Sequence, residues 1–176
     1  MDKHENGSGA DGSEVMRQAN FQAVIEEGKL RIEELAEEAR AIQKEHYNWH
    51  IRENAPRKPR EKGRLVVFVR ERKGGLEISW SSFRFLKPEG AVKSTVRNKH
   101  LIKGRNHKYR PRTLTIHAKD WEIDHVLEIE DRLAEIRAEY SHVRNMMTSA
   151  KLAMKFAAKR PVPKRSKKLA IEEEVE

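Results

Sequence analysis

The sequence predicts an α+β fold. A long antiparallel two-helix hairpin, coiled-coil-like, carries a small antiparallel β-sheet head inserted between its helices. Three observations predict it. Two proline-free stretches, 13–51 and 118–159, repeat apolar residues at alternating steps of three and four, the seam of a helix packed lengthwise on another. Between them the period falls to two around a glycine turn. The charge is also sorted: residues 52–117 hold 19 Lys and Arg against 5 Asp and Glu, net +14, while the remainder holds 18 against 23, net −5.

Of the 176 residues, 37% are apolar and 37% charged, so the core is thin and long helices suit it better than a thick globule. Residues 1–12, with Gly7, Gly9 and Gly12, read as a disordered lead. In the first helix (13–51) the seam runs Phe21, Ile25, Gly28, Ile32, Leu35, Ala39, Ile42, His46, Trp49, and glutamates fill the outer face. In the second (118–159) it runs Val126, Ile129, Leu133, Ile136, Tyr140, Val143, Met147, Ala150, Met154, Ala157. Asp120 and Glu122 open that helix, Lys155 and Lys159 close it, and Pro161 stops it. At 1.5 Å per residue the two run about 58 and 63 Å. The match favours folding back within one chain, while pairing between two copies, a homodimer, stays open.

The inserted head (52–117) begins with the proline-broken basic linker "NAPRKPREKG". "RLVVFVRE" and "LEISWSSFRFL", joined by "RKGG", form a hairpin: Leu76, Ile78 and Trp80 alternate with Glu77, Ser79 and Ser81. Trp80, Phe83 and Phe85 are expected to face mostly inward. "TLTI", Thr113 to Ile116, is expected to add a third strand. The basic segment 92–112 is then a long loop, with room for a short strand of its own. The tail 160–176, basic then acidic, reads as disordered.

Several function classes fall away. Without cysteine there is no disulfide framework, thiol nucleophile or thiolate metal site. The polar N-terminus is no secretory signal and no window approaches the roughly 18 apolar residues that span a bilayer, so no membrane association and a cytoplasmic location are expected. No P-loop, no Gly-x-Ser-x-Gly elbow and no Cys–His pair is present, and the chain reads as not an enzyme. His46 and His50 have the four-residue spacing of metal ligands. Yet Tyr47 follows His46 where a metalloprotease needs Glu, and no third ligand stands out, so they read as surface or seam histidines. No metal or other cofactor is called for.

Nucleic-acid binding is favoured. Lys93, Arg97, Lys99, Lys103, Arg105, Lys108, Arg110 and Arg112 are strung along a segment free of Asp and Glu after Glu89, with the single aromatic Tyr109. Arg70, Arg72 and Lys73 lie at the hairpin turn, and Arg57, Lys58, Arg60, Lys62 and Arg64 in the linker. Cations confined this way repel one another, and a polyanion relieves the repulsion while releasing its counterions. The plain alternative is a solubilising loop or one that meets an acidic protein. With no aromatic pair on adjacent strands to stack bases, double-stranded DNA is favoured over RNA. The helical pair is either a spacer or a handle for a partner protein, with Met146, Met147 and Met154 as adaptable contacts.

The order of a helix, the strand pair "RLVVFVRE…LEISW", a basic stretch with "KGRNHKY", and "DWE" opening a long helix with "LAEIRAEY" resembles the MobI-type auxiliary proteins of conjugative plasmids and integrative elements, over roughly 21–156. The resemblance implies a cytoplasmic accessory factor for the initiation of conjugative DNA transfer. It would recognise the origin-of-transfer region beside the relaxase without itself cutting DNA. An RNA-binding or ribosome-associated protein, or a coiled-coil protein–protein adaptor, is the alternative.

Overall fold

The computed structural model describes residues 11–72, 74–86 and 95–159, of which 11–15, 84–86 and 95 are described by their backbone alone. In chain order these are helix α1 (Asp11–Asn54), strands β1 (Leu65–Arg72), β2 (Gly75–Leu86) and β3 (Thr95–His100), short helix α2 (Pro111–Thr115), a 3-10 turn (Asp120–Glu122) and helix α3 (Ile123–Ala157). The expected lead 1–12 and tail 160–176 lie outside the described residues, except that Asp11 and Gly12 already belong to α1. The chain forms two compact units, Gly28–Asn145 and a second made of Met1–Glu27 with Met146–Glu176.

In the larger unit α1 and α3 run antiparallel. Arg31 pairs with Glu139 at 2.7 Å and Arg132 with Glu45 at 2.8 Å, so numbers that rise along one helix fall along the other. Leu35, Ala39, Ile42 and His46 of the first seam are buried, as are Val126, Ile129, Leu133 and Ile136 of the second. Toward the end of α1 the seam becomes aromatic: the rings of Trp49 and His125 stack 3.7 Å apart, centroid to centroid.

The three strands form an antiparallel meander in the order β1-β2-β3. Arg72 pairs with Gly75, so the β1–β2 connection is a two-residue turn, and Gly74 takes φ +70, a value that favours glycine. One sheet face lies along the flank of the helix pair. Gln43 donates to the Val67 carbonyl (2.7 Å), Arg137 to that of Ile78 (3.0 Å), and the Leu76 N–H to the Tyr140 hydroxyl (3.1 Å). The head is inserted in sequence between the helices, yet it packs along them because α3 buries more than a seam. Glu130, Ala134 and Arg137 form a second buried stripe. Leu65, Val67, Ile78 and Trp80 join the helical seams in a single core.

Two expectations are corrected here. "TLTI" is not a strand: Pro111 presets the first turn of α2, and Leu114, fully buried, docks that turn into the core. The third strand lies instead inside the basic segment, at Thr95–His100. Phe83 does not face inward with Trp80, since three residues along a strand reverse the face. Its ring meets Phe68 edge-on at 6.3 Å on the opposite side of the sheet, and the Phe85 side chain lies outside the described residues.

In the smaller unit Ile25, Met147 and Ala150 are buried, so Met147 is a packing residue rather than an exposed contact; Met146 is exposed and Met154 half-buried. No helix among the described residues is long and apolar enough to cross a membrane.

Candidate nucleic-acid interface

The basic segment is built in three parts. First comes β3, where Val96, Arg97, Asn98, Lys99 and His100 are exposed in succession. A strand covered on one face alternates between buried and exposed residues. This one has neither face covered among the described residues, and Asp and Glu are absent from it.

Next is a closed loop. The Leu101 N–H donates to the Trp80 carbonyl (2.9 Å), and the Tyr109 hydroxyl donates to the Leu101 carbonyl (3.2 Å), tying the two ends together. Gly104, at φ +73, lets the chain reverse between them. The floor under the loop is a buried polar network. Glu130 Oε1 accepts the Tyr109 N–H at 2.7 Å and Arg137 at 2.9 Å, while Oε2 accepts the Trp80 indole N–H at 2.7 Å and Arg137 at 3.1 Å. Arg137 also donates to the His107 carbonyl at 2.9 Å and lies over the Tyr109 ring. Each buried charge is thus met by its opposite and by hydrogen bonds, the condition under which burial is tolerated.

The third part is α2, led by Arg110 and carrying Arg112. The connection to α3 is fixed by Glu122, whose Oε1 accepts the Lys119 N–H at 2.8 Å.

Against the expected contacts the outcome is uneven. Arg97, Lys99, Arg105, Arg110 and Arg112 are exposed, with no carboxylate paired to them among the described residues. They lie on the strand, the loop and the short helix, which follow one another in the chain. Tyr109 is a correction: only 2% exposed, it is an anchor of the loop and offers no ring face to a base. Lys108 pairs with Asp131. Lys103 is half-buried and donates to the Asn106 carbonyl; burial and the nearby Arg137 charge hold its ammonium below the usual lysine range. Arg70 and Arg72 belong to β1, on the opposite edge of the sheet from β3, and both pair with Glu77, at 3.0 and 3.9 Å. Lys73 and Lys93 lie outside the described residues. In the linker the Arg57 guanidinium sits 3.8 Å over the Trp121 ring, whereas Lys58 and Arg60 are exposed.

Sequence reasoning missed the pair beneath the loop, Glu130 and Arg137. Their signal was present: opposite charges seven apart flank the apolar seam of α3, two turns of one helical face. Among the described residues no group of His, Asp and Glu is arranged to hold a metal ion. His46 and His50 serve packing instead. The first meets the Leu65 carbonyl at 3.2 Å, the second the Glu122 carboxylate at 3.4 Å.

Comparison with curated proteins and with solved structures returned no match. A protein-family model, that of the MobI protein, does match, over residues 35–151, which takes in the C-terminal part of α1, the sheet, the closed loop, the buried Glu130–Arg137 pair and most of α3. On that span, more than half of its length, the chain belongs to the MobI family.

Proposed function

We propose that this protein is a DNA-binding accessory factor for the initiation of conjugative transfer, recognising the origin-of-transfer region and assisting the relaxase. Membership of a mobilisation family supports the setting. The observation that carries DNA binding is where the unengaged arginines fall. Arg31, Arg40, Arg70, Arg132 and Arg137 are each held by a glutamate. Among the described residues, Arg60, Arg97, Arg105, Arg110 and Arg112, all within the basic head, have no carboxylate paired to them. A fold that pairs arginines in the helices and on β1 and leaves these open is prepared for an external polyanion. The protein works in the cytoplasm, with no part in catalysis and no cofactor. Met146, Leu152 and Phe156, exposed on the smaller unit, supply an apolar surface for the relaxase or for a second copy.

Duplex binding measured by anisotropy at several salt concentrations tests this. With six phosphates of B-form DNA neutralised, log affinity falls against log salt with a slope of about −5. Replacing Arg105, Arg110 and Arg112 together by Ala flattens that slope by about 3. Absence of duplex binding at low salt overturns the proposal, and tighter binding to structured RNA replaces it with the RNA reading. Against RNA stands the Phe68–Phe83 pair, whose rings are packed edge to face at 71° and present no stacking platform.

A further inference from the structure

We infer that the β2–β3 ribbon enters the major groove of the bound duplex and reads base edges with its Arg97 and Lys99 face. The inference rests on the DNA-binding reading above and adds the element, the groove and the residues.

The register isolates the ribbon. β1 starts opposite Ser82, with Leu65, and the Arg64 carbonyl takes one more bond from the Phe83 N–H at 3.0 Å. From Arg84 onward β2 pairs with β3 alone, through Arg84–Arg97, Phe85–Val96 and Leu86–Thr95. Val96 and Arg97 lie on this two-stranded part, whereas Asn98 pairs with Phe83, and Lys99 and His100 lie opposite Ser82 and Ser81, where β1 also pairs with β2 and β3 forms the sheet's exposed edge. A strand that buries neither face adds nothing to the core, so its pairing serves a surface role.

The chemistry of that surface is selective. Arg97 and Lys99 are two residues apart and share one face; Val96, Asn98 and His100 share the other. Arginine and lysine are the side chains that meet the O6 and N7 acceptors of guanine. Two strands about 4.8 Å apart, with their side chains, fit a major groove about 12 Å wide, and are too broad for a minor groove of about 6 Å. The ribbon runs straight into the closed loop, whose ends Leu101 and Tyr109 are tied together, so Arg105 is held beside it and positioned for flanking phosphates.

The test starts from the duplex recovered by in vitro selection on the full chain, with a scrambled duplex of equal length as reference. Arg97→Ala and Lys99→Ala should each lower the ratio of selected to scrambled affinity about tenfold or more. Asn98→Ala, on the other face, should leave that ratio unchanged. Methyl green, which fills the major groove, should displace the protein, and netropsin, which fills the minor groove, should not. All three positions are exposed, and each variant should melt at the wild-type temperature, the check that it folds.

If the wild-type chain recovers no duplex, DNA binding itself fails and the ribbon with it. If the wild type binds but Arg97→Ala and Lys99→Ala weaken both duplexes equally, the ribbon touches phosphates only and this inference alone is overturned. Displacement by netropsin in place of methyl green, or a loss of discrimination in Asn98→Ala alone, overturns the groove or the face in the same way.

Discussion

The indole N–H of Trp80 donates to Glu130 Oε2 at 2.7 Å, a bond between two side chains that are both fully buried. It joins the central strand to α3, and the same carboxylate takes the Tyr109 N–H and both terminal nitrogens of Arg137. The sheet, the basic loop and the helix therefore share one charged group.

Glu130→Ala removes that group and strands Arg137, which is 7% exposed, as a buried cation without a counter-charge. Losing one member of a buried pair costs about 3–5 kcal/mol, whereas replacing both by apolar residues of similar volume costs far less. Urea unfolding should show a much lower midpoint for Glu130→Ala than for wild type. The double variant Glu130→Leu/Arg137→Met should recover part of it. Equal midpoints for the single variant and wild type would show that the pair contributes nothing.

Tyr109→Phe keeps the buried ring and removes only the hydroxyl, which donates to the Leu101 carbonyl at 3.2 Å and accepts the Trp80 N–H at 3.3 Å. Leaving buried partners unmet costs about 1–3 kcal/mol. Amides of residues 101–109 should exchange faster while those of β1 keep their protection. DNA affinity should fall with no change in salt slope, because the open cations remain. A flattened slope would mean that Tyr109 itself takes part in the ionic contact.

How legible this molecule was follows from which signals are local. The seams of α1 and α3 were readable because the spacing of Leu35, Ala39 and Ile42, and of Val126, Ile129 and Leu133, is set by helix geometry alone. The β1–β2 hairpin was readable for the same reason, from alternation and a glycine turn. β3 was legible only as room for a short strand within the basic loop, since "TVRNKH" buries neither face and so shows no alternation to mark its bounds. "TLTI" misled because β-branched residues favour strands only where a sheet can receive them; here Leu114 docks a single turn. Charge marked the basic segment but not which of its members stay open. That depends on Asp131, Glu130 and Arg137, side chains of α3 that chain distance hides from any local pattern.

Gly63→Ala should destabilise the fold for want of space. A Cβ there would overlap the Glu122 Oε2 and stand 2.7 Å from both its carboxyl carbon and His50 Nε2, and Asn54 already holds the Gly63 N–H at 2.8 Å. Overpacking of this kind costs about 1–3 kcal/mol. Gly74→Ala meets open space, but φ +70 costs an L-residue about 1–2 kcal/mol. The two separate in a second substitution: Gly74→Asn, tolerant of that φ, should recover stability, and Gly63→Asn should not. Thermal midpoints of the four variants decide the matter.

Acid should unfold the protein earlier than its carboxylates alone require, because of His46. Burial, as its largest cause, lowers this imidazole from the ordinary 6.5 to about 4. Its Nε2 donates to the Leu65 carbonyl, which fixes the neutral tautomer, and Nδ1 is buried without a hydrogen-bond partner. His125, stacked 5.4 Å away, is lowered in the same direction, again chiefly by burial. In the unfolded chain His46 titrates near 6.5, so between that pH and about 4 the unfolded state binds a proton that the folded state refuses. The contribution is therefore complete above about pH 6.5 and declines as pH falls toward 4, by on the order of 3 kcal/mol for this one group. Glu45, lowered by its bond to Arg132, adds its own loss only at the carboxylate end of the range. Urea midpoints measured from pH 7.5 down to 4.5 should fall steadily in the wild type. In His46→Gln, which has no proton to take up there, the decline over that window should be much shallower, leaving the part due to His125. A wild-type midpoint that stays level from pH 7 to 5 would show that His46 titrates normally in the folded chain, and that the core beneath the sheet admits water.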